Sequence, residues 1–374
     1  GRSGTGLLHS LIDNHSQVST LPSIYFSEYF DGSTWTKITA GGLEEMIERF
    51  ILSYPVFFDS RLPDAVPSIN MEKIGSLGIK EGMTNLGKNK NEYLYIDKDL
   101  FRKELKSLMN LHNNINPINF FKMVHIAFER TIGNVKKKNI IFYHIHNPDT
   151  YAKLNFVRLA PDTKWLMMVR NPIESCESWV SVPYKNNNYH DITMRIQTML
   201  FDIDNIVFRN RDSVGLRLED LKNKPKETIL KLCDWIGIKN EQSLFKMTAQ
   251  GKIWWGDKSS PKMSAFGEMP ISKTGQVFSE NDGFILKTLF YPFNVSFGYE
   301  KEDYKNFKKN LKIIRPKIVK MFDFEKKIAM QTNIAYKQFM KSGNFLYLRS
   351  RMIERWNTLN DFNTYPEMVK PLKI

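Results

Sequence analysis

Gly1-Arg2-Ser3-Gly4-Thr5-Gly6, running straight into Leu7-Leu8-His9-Ser10-Leu11-Ile12, opens the chain. Three glycines in six residues let backbone N–H groups crowd around an anion. Leu7, Leu8, Leu11 and Ile12 recur at helical spacing and predict a helix over 5–14. The start of that helix adds partial positive charge to the loop. The hydroxyls of Ser3 and Thr5 are further donors, and Arg2 supplies a cation. A nucleoside-triphosphate loop would end in Gly-Lys-Ser/Thr. Here Leu7 and Leu8 follow Gly6, so no lysine reaches a β/γ-phosphate and no hydroxyl follows to hold Mg²⁺. Ordinary ATP or GTP hydrolysis is therefore disfavoured, whereas anion binding and a purely structural turn both stay open. Such a loop normally follows a buried strand. None precedes Gly1, so a fragment or processed form is expected, with its first strand missing.

Outward from the loop, short apolar runs at 140–145, 165–169 and 214–218 predict buried strands, and 18–26 a short strand and loop. Helical patterns occupy 43–52, 99–111, 149–159, 173–180, 193–208 and 225–236, the last ended by Gly237. Ser279-Glu280-Asn281-Asp282 resembles a capping box and opens a helix to about residue 290. Strands alternating with helices imply an α/β fold with a mostly parallel sheet covered on both faces. Residues 31–135 read as a largely helical insertion without a motif, and 301–374 as a Lys-rich helical extension.

The 374 residues carry 54 Lys and Arg against 40 Asp and Glu, a net +14. Apolar residues at 42% are enough for a globular core, which excludes disorder as the main state. The longest apolar candidate, 50–58, falls well short of the ~18 residues of a membrane span and contains Ser53 and Pro55. Cys176 and Cys233 form neither a disulfide framework nor a metal-ligand spacing. Residues 301–374 hold 17 Lys and Arg and 7 Asp and Glu, a net +10, leaving +4 for the other 300. The basicity lies mostly in the extension, as a solvated helical face or a patch for an acidic partner or membrane surface.

A second anion element follows the strand at 165–169. Arg170 ends that strand, Asn171-Pro172 open the next helix, and Ser178 lies eight residues beyond Arg170. A strand-end guanidinium and a hydroxyl two turns into a helix can converge on one phosphate. A local salt bridge and a solvent-facing serine are the structural alternative.

Together, the Arg2-Ser3-Gly4-Thr5 stretch with Leu7-Leu8, Asn14-His15 and Val18, and the Arg170-to-Ser178 element, resemble the sulfotransferase superfamily. That superfamily uses 3′-phosphoadenosine 5′-phosphosulfate (PAPS). The likeness is to its carbohydrate, tyrosylprotein and bacterial branches, which usually have a second Thr where this chain has Gly6. Arg217-Leu218-Glu219-Asp220-Leu221 and Gly298-Tyr299 resemble two further family segments. The resemblance implies a P-loop-like three-layer fold over 1–300 and no metal. It assigns Arg2, Ser3, Gly4, Thr5 and Gly6 to the 5′-phosphosulfate, and Arg170 and Ser178 to the 3′-phosphate. Lys273, in Ser272-Lys273-Thr274-Gly275, is the candidate for a basic loop closing on the 3′-phosphate, with Lys252 and Lys258 as rivals. Of Trp254-Trp255, one ring is available for adenine, with burial as the alternative.

Sulfuryl transfer to an alcohol needs a base. Glu28, in Tyr25-Phe26-Ser27-Glu28, ranks first and His146 second; His146 ends the strand run in His144-Ile145-His146-Asn147-Pro148, where open α/β sheets place ligands. The expected function is a sulfotransferase acting on a hydroxyl acceptor, with carbohydrate ahead of tyrosyl peptide or small alcohol. A P-loop kinase-like phosphotransferase and a non-catalytic anion or nucleic-acid binder are the alternatives, and no nucleic-acid partner is expected. The chain suits a cytoplasmic bacterial enzyme or a lumenal one stripped of its anchor.

Overall fold

The computed structural model describes residues 3–22, 26, 29–63, 76–134, 138–145, 150–202, 212–258, 263–269, 274–361 and 368–374, with the side chains of 150–153 left aside. The chain divides into two compact units. One comprises Gly4–Thr163 and Lys226–Gly267; the other comprises Lys164–Pro225 and Glu268–Ile374 with residues 1–3.

The first unit begins with α1 (Thr5–Ile12) and β1 (Val18–Thr20). It continues through α2 (Lys98–Met109) and α3 (Pro117–Thr131) to β2 (Ile140–Phe142). β1 and β2 pair in parallel, with Val18 opposite Ile140 and Thr20 opposite Phe142. Among the described residues between them, six helices, Ser33–Thr39, Met46–Ser53, Pro55–Phe58, Leu77–Lys80, α2 and α3, carry an aromatic core. Phe50, Phe57, Phe58, Phe101 and Phe120 are fully buried there. Their rings meet mainly edge to face, as for Phe57–Phe58 at 4.9 Å and Phe58–Phe101 at 5.1 Å, the arrangement that ring quadrupoles favour. Local sequence sets the helix starts. Asp97 accepts from the N–H groups of Asp99 and Leu100 at 2.9 Å, and Asn116 accepts from Asn119 N–H at 2.9 Å just before Pro117.

Asp13 ties the end of α1 to a small hairpin, Thr248–Ala249 with Lys252–Ile253. Its carboxylate accepts from Gly251 N–H (2.9 Å), Gln250 N–H (3.3 Å) and the Thr20 hydroxyl (2.9 Å). A short carboxylate thus organises both the hairpin turn and the end of β1.

The second unit contains β3 (Trp165–Val169), α4 (Pro172–Lys185), α5 (Tyr189–Asp202) and β4 (Ser213–Arg217). It ends with α6 (Glu280–Leu289), α7 (Tyr304–Ile318), α8 (Asp323–Gln331) and α9 (Gly343–Asn360). β3 and β4 pair in parallel from Trp165–Ser213 to Val169–Arg217. On β4, a Cβ at Gly215 would sit 2.4 Å from Phe297 Cζ, so only glycine lets that ring close over the strand. The Gly215 N–H donates to the Lys370 carbonyl, and the Leu372 N–H donates to the Gly215 carbonyl. Ser279 and Asp282 form the expected capping box of α6.

The 301–374 helices enter this unit's own core. Val180, Ile192, Ile196, Ile285 and Leu289 share one apolar cluster with Leu311, Ile314, Leu348 and Met352. Beside it lies a buried polar network. Glu325 accepts from the Tyr189 hydroxyl at 2.5 Å and the Phe322 N–H at 2.7 Å, and pairs with Arg349.

The chain is therefore mixed α/β, with parallel strand pairs in each unit. Among the described residues the strands form three two-stranded sheets, two parallel and one antiparallel. No described helix is long and apolar enough to cross a membrane. Both cysteines are free and buried.

Candidate functional site

Gly4, Thr5 and Gly6 of the opening loop fall in a different unit from the Arg170 element, and each part is built by its own local structure. In the loop, Gly4 has φ 91°, the left-handed conformation that glycine adopts without strain. That residue turns the chain into α1, where the Leu8 N–H donates to the Gly4 carbonyl at 3.0 Å. No side chain caps α1, and its first turn carries no acid. Its leading N–H groups therefore keep their positive end uncompensated by carboxylate. The other face of α1 is fixed by burial of Leu7, Leu8, Leu11 and Ile12. Ser3 and Thr5 are half-buried and Gly6 is exposed. Arg2 lies outside the described residues.

Gly6 lies over Trp254, whose Cη2 would be 3.9 Å from a Cβ at position 6. Trp254 is buried and its indole N–H donates to the Glu81 carbonyl at 2.9 Å. Its neighbour Trp255 is half exposed, donates to the Gly87 carbonyl at 2.8 Å and lies under the Lys90 ammonium at 4.6 Å. The tryptophan pair thus splits: Trp254 is a core ring beneath the loop, and Trp255 is held at the surface.

The Arg170 element forms as its sequence predicts. β3 delivers Arg170, the Asn171 side chain caps α4 by accepting from Ile173 and Glu174 N–H, and Pro172 takes the first turn. Ser178 then lies two turns into α4, half-buried. The Arg170 guanidinium donates to Glu174 Oε2 at 3.1 Å, so the local ion pair is present. Its Nε is buried and has no acceptor among the described residues. A guanidinium with an unused, buried donor can take an anion.

The two weaker sequence echoes meet at this element. Glu219 accepts from the Asn171 N–H at 3.0 Å and from the Tyr299 hydroxyl at 2.8 Å. The Arg217 guanidinium lies 4.8 Å from the centre of the Tyr299 ring. Burial, with the Glu219 carboxylate beside it, pushes the Tyr299 phenol far up, so it remains a hydrogen-bond donor.

Glu177, immediately before Ser178, was not singled out from the sequence. Its buried carboxylate accepts from the N–H groups of Gly275 (2.9 Å), Val277 (2.6 Å) and Phe278 (3.4 Å). It anchors the turn that follows the candidate Lys273, which is itself outside the described residues. Of the rivals, Lys252 is committed to Glu92 at 3.1 Å. The backbone N–H of Lys258 donates to the Lys80 carbonyl at 2.8 Å.

Both candidate bases, Glu28 and His146, lie outside the described residues. His144, just past β2, is buried, with its ring 5.8 Å from that of His9 on α1. Burial lowers the His9 pKa, against the pull of Asp13. Burial likewise holds His125, whose Nδ1 is 2.9 Å from Ser19 Oγ, down to about 3.

One carboxyl with a shifted proton affinity escaped the sequence reading. Burial pushes Glu81 up to about 7, with Lys80 opposing and Asp257 reinforcing. No spacing marks Glu81, because its burial comes from tertiary packing beside Trp254. Among the described residues no group of three or more His, Cys, Asp or Glu could hold a metal ion.

A sequence profile described as the sulfotransferase family matches residues 1–242, which include the opening loop, Arg170, Ser178 and Glu219. No curated protein and no solved structure matches the chain.

Proposed function

The chain belongs to the sulfotransferase family, and from that premise we propose that it moves a sulfuryl group from PAPS to a hydroxyl of a carbohydrate. The observation that carries the PAPS reading is the buried, unused Nε of Arg170 at the end of β3, with Ser178 two turns into α4. A guanidinium and a hydroxyl suit the 3′-phosphate, the group that distinguishes PAPS from other adenylyl sulfates. Lys273 adds charge to the same phosphate. The N–H groups of Gly4, Thr5 and Gly6, the hydroxyls of Ser3 and Thr5, and Arg2 receive the 5′-phosphosulfate. The same reading takes the parallel strand pairs as parts of a P-loop-like three-layer fold.

In the reaction the acceptor oxygen bonds to sulfur as the bond from sulfur to the 5′-phosphate oxygen breaks. The acceptor proton passes to a base, Glu28 first and His146 second. The transferring group carries less charge than a γ-phosphoryl, so hydrogen-bond donors and positioning supply the stabilisation without a Mg²⁺ clamp.

The reading is tested by thermal shift with adenosine 3′,5′-bisphosphate against Mg-ATP. Stabilisation by the bisphosphate alone supports it, and equal stabilisation by both overturns the 3′-phosphate assignment. Transfer from labelled PAPS to a panel of glycans, tyrosyl peptides and small alcohols then identifies the acceptor. Glu28→Gln and His146→Ala, measured side by side, identify the base.

A further inference from the structure

From Lys326 to Ile353 the chain contains no Asp or Glu. This stretch runs from α8 through the short helix Tyr336–Phe339 into α9, and all of it is described. It is a built surface. Ile328, Ala329, Phe339, Phe345, Leu348 and Met352 face the core. The Phe339 ring packs against Tyr189 at 4.7 Å and lies 6.3 Å from Phe345. Asn333, at φ 54°, turns the chain out of α8, and the Ile334 N–H closes back on the Ala329 carbonyl at 2.8 Å. Ser342 caps α9 by accepting from the Phe345 N–H.

With that inner face fixed, other large apolar side chains are left in water. Met330 is 62% exposed and Leu346 56%, and Ile334, Tyr336, Met340 and Tyr347 are exposed as well. Lysines are interleaved with them: Lys327, Lys337 and Lys341, each exposed. Lys337 and Lys341 make no ion pair among the described residues. Arg349 is withdrawn to the buried Glu325, while Arg351 and Lys326 pair at the surface with Glu354 and Asp323 at the edges of the stretch.

We propose that this α8–α9 surface docks on an anionic phospholipid membrane. Lysine ammonium groups meet the headgroup phosphates and carboxylates, while the Met, Leu, Ile and Tyr side chains enter the interfacial layer. A polyanion without an apolar phase would satisfy the lysines and leave Met330 and Leu346 in water. An apolar protein groove would bury those two and leave the lysines without counter-charge. The missing carboxylates favour a partner that is both anionic and apolar, and the surface is part of a packed core, so it needs no ordering on contact.

The test uses the full chain in co-sedimentation with vesicles of phosphatidylcholine, with and without phosphatidylserine. Binding is expected only with phosphatidylserine and is expected to fall as salt is raised. Lys337→Gln with Lys341→Gln should weaken it about fivefold per lysine. Leu346→Ser with Tyr347→Ser should weaken it without changing the salt dependence. Thermal shift by adenosine 3′,5′-bisphosphate should be unchanged in all of them. No binding, equal binding to neutral vesicles, or concentration-dependent self-association without lipid each overturns the proposal.

Discussion

Glu219 and Tyr299 meet across 80 residues of sequence: the phenol donates to one carboxylate oxygen at 2.8 Å, and the other oxygen accepts the Asn171 N–H at 3.0 Å. The chain next to Arg170 is therefore held by two segments distant from it in sequence. Tyr299→Phe removes one hydrogen bond to a charged acceptor, worth about 1.5–3 kcal/mol. Because that bond orients Glu219, we expect weaker adenosine 3′,5′-bisphosphate binding together with a lower urea midpoint. A lower midpoint with unaltered affinity would confine Tyr299 to stability.

Arg170→Ala should weaken bisphosphate binding by about 1.5–3 kcal/mol, roughly ten- to a hundredfold, as for a lost charged hydrogen bond. Glu174→Gln provides the contrast, since it frees the guanidinium from its 3.1 Å ion pair. Affinity should hold or rise in that variant. Calorimetric titration decides, and equal losses in the two variants would mean that Arg170 serves only its own helix.

Glu177→Ala leaves three N–H groups without their acceptor, those of buried Val277 and Phe278 and that of exposed Gly275. The expected loss of stability is about 2–4 kcal/mol. Hydrogen exchange should speed up first at 275–278. Uniform acceleration over the whole unit would show that the turn is held by other means.

Glu81 predicts a pH dependence of definite sign. Its folded pKa, about 7, lies above its ordinary value of 4.5, so the folded state binds the proton more tightly. The stability it contributes is complete below pH 4.5 and is lost as the pH rises through 7. That loss amounts to up to about 3 kcal/mol. Urea unfolding from pH 5 to pH 8 should show the decline in the parent and not in Glu81→Gln. Parallel pH profiles for the two proteins would exclude it. His125 works in the opposite direction: its imidazole is kept neutral by burial, and it destabilises the fold as the pH falls from 6.5 toward 3.

Deleting 301–374 should abolish folding of the second unit. The truncation strips Leu311, Ile314, Leu348 and Met352 from the cluster that buries Val180 and Ile196, and takes Glu325 from Tyr189. Circular dichroism of the truncated chain is the check. A cooperatively melting product would show that α4 and α5 pack without it.

Much of this was readable in advance because it is local. Trp165–Val169 forms a strand because five consecutive apolar residues precede an Arg-Asn-Pro stop, and Asn171 and Pro172 start the next helix at the expected place. The Ser279 capping box and the helix ending before Gly237 are equally local. Glu177 and Glu81 were not readable, since their character depends on what folds over them. The stretch 275–278 reaches Glu177 from about a hundred residues away, and Glu81 lies beside Trp254, 173 residues distant. The tail carries both faces: Lys305, Lys309 and Lys312 are exposed, while at helical spacing Phe307, Leu311, Ile314 and Ile318 trace a stripe that packs inward.

Position 6 has room to spare. A methyl group there would rest 3.9 Å from the edge of Trp254, an ordinary van der Waals contact, whereas Gly4 beside it is tied to a left-handed turn. The bareness of residue 6 is thus no steric requirement at the β-carbon, and the loop has space for a first side-chain atom where its backbone turns into α1.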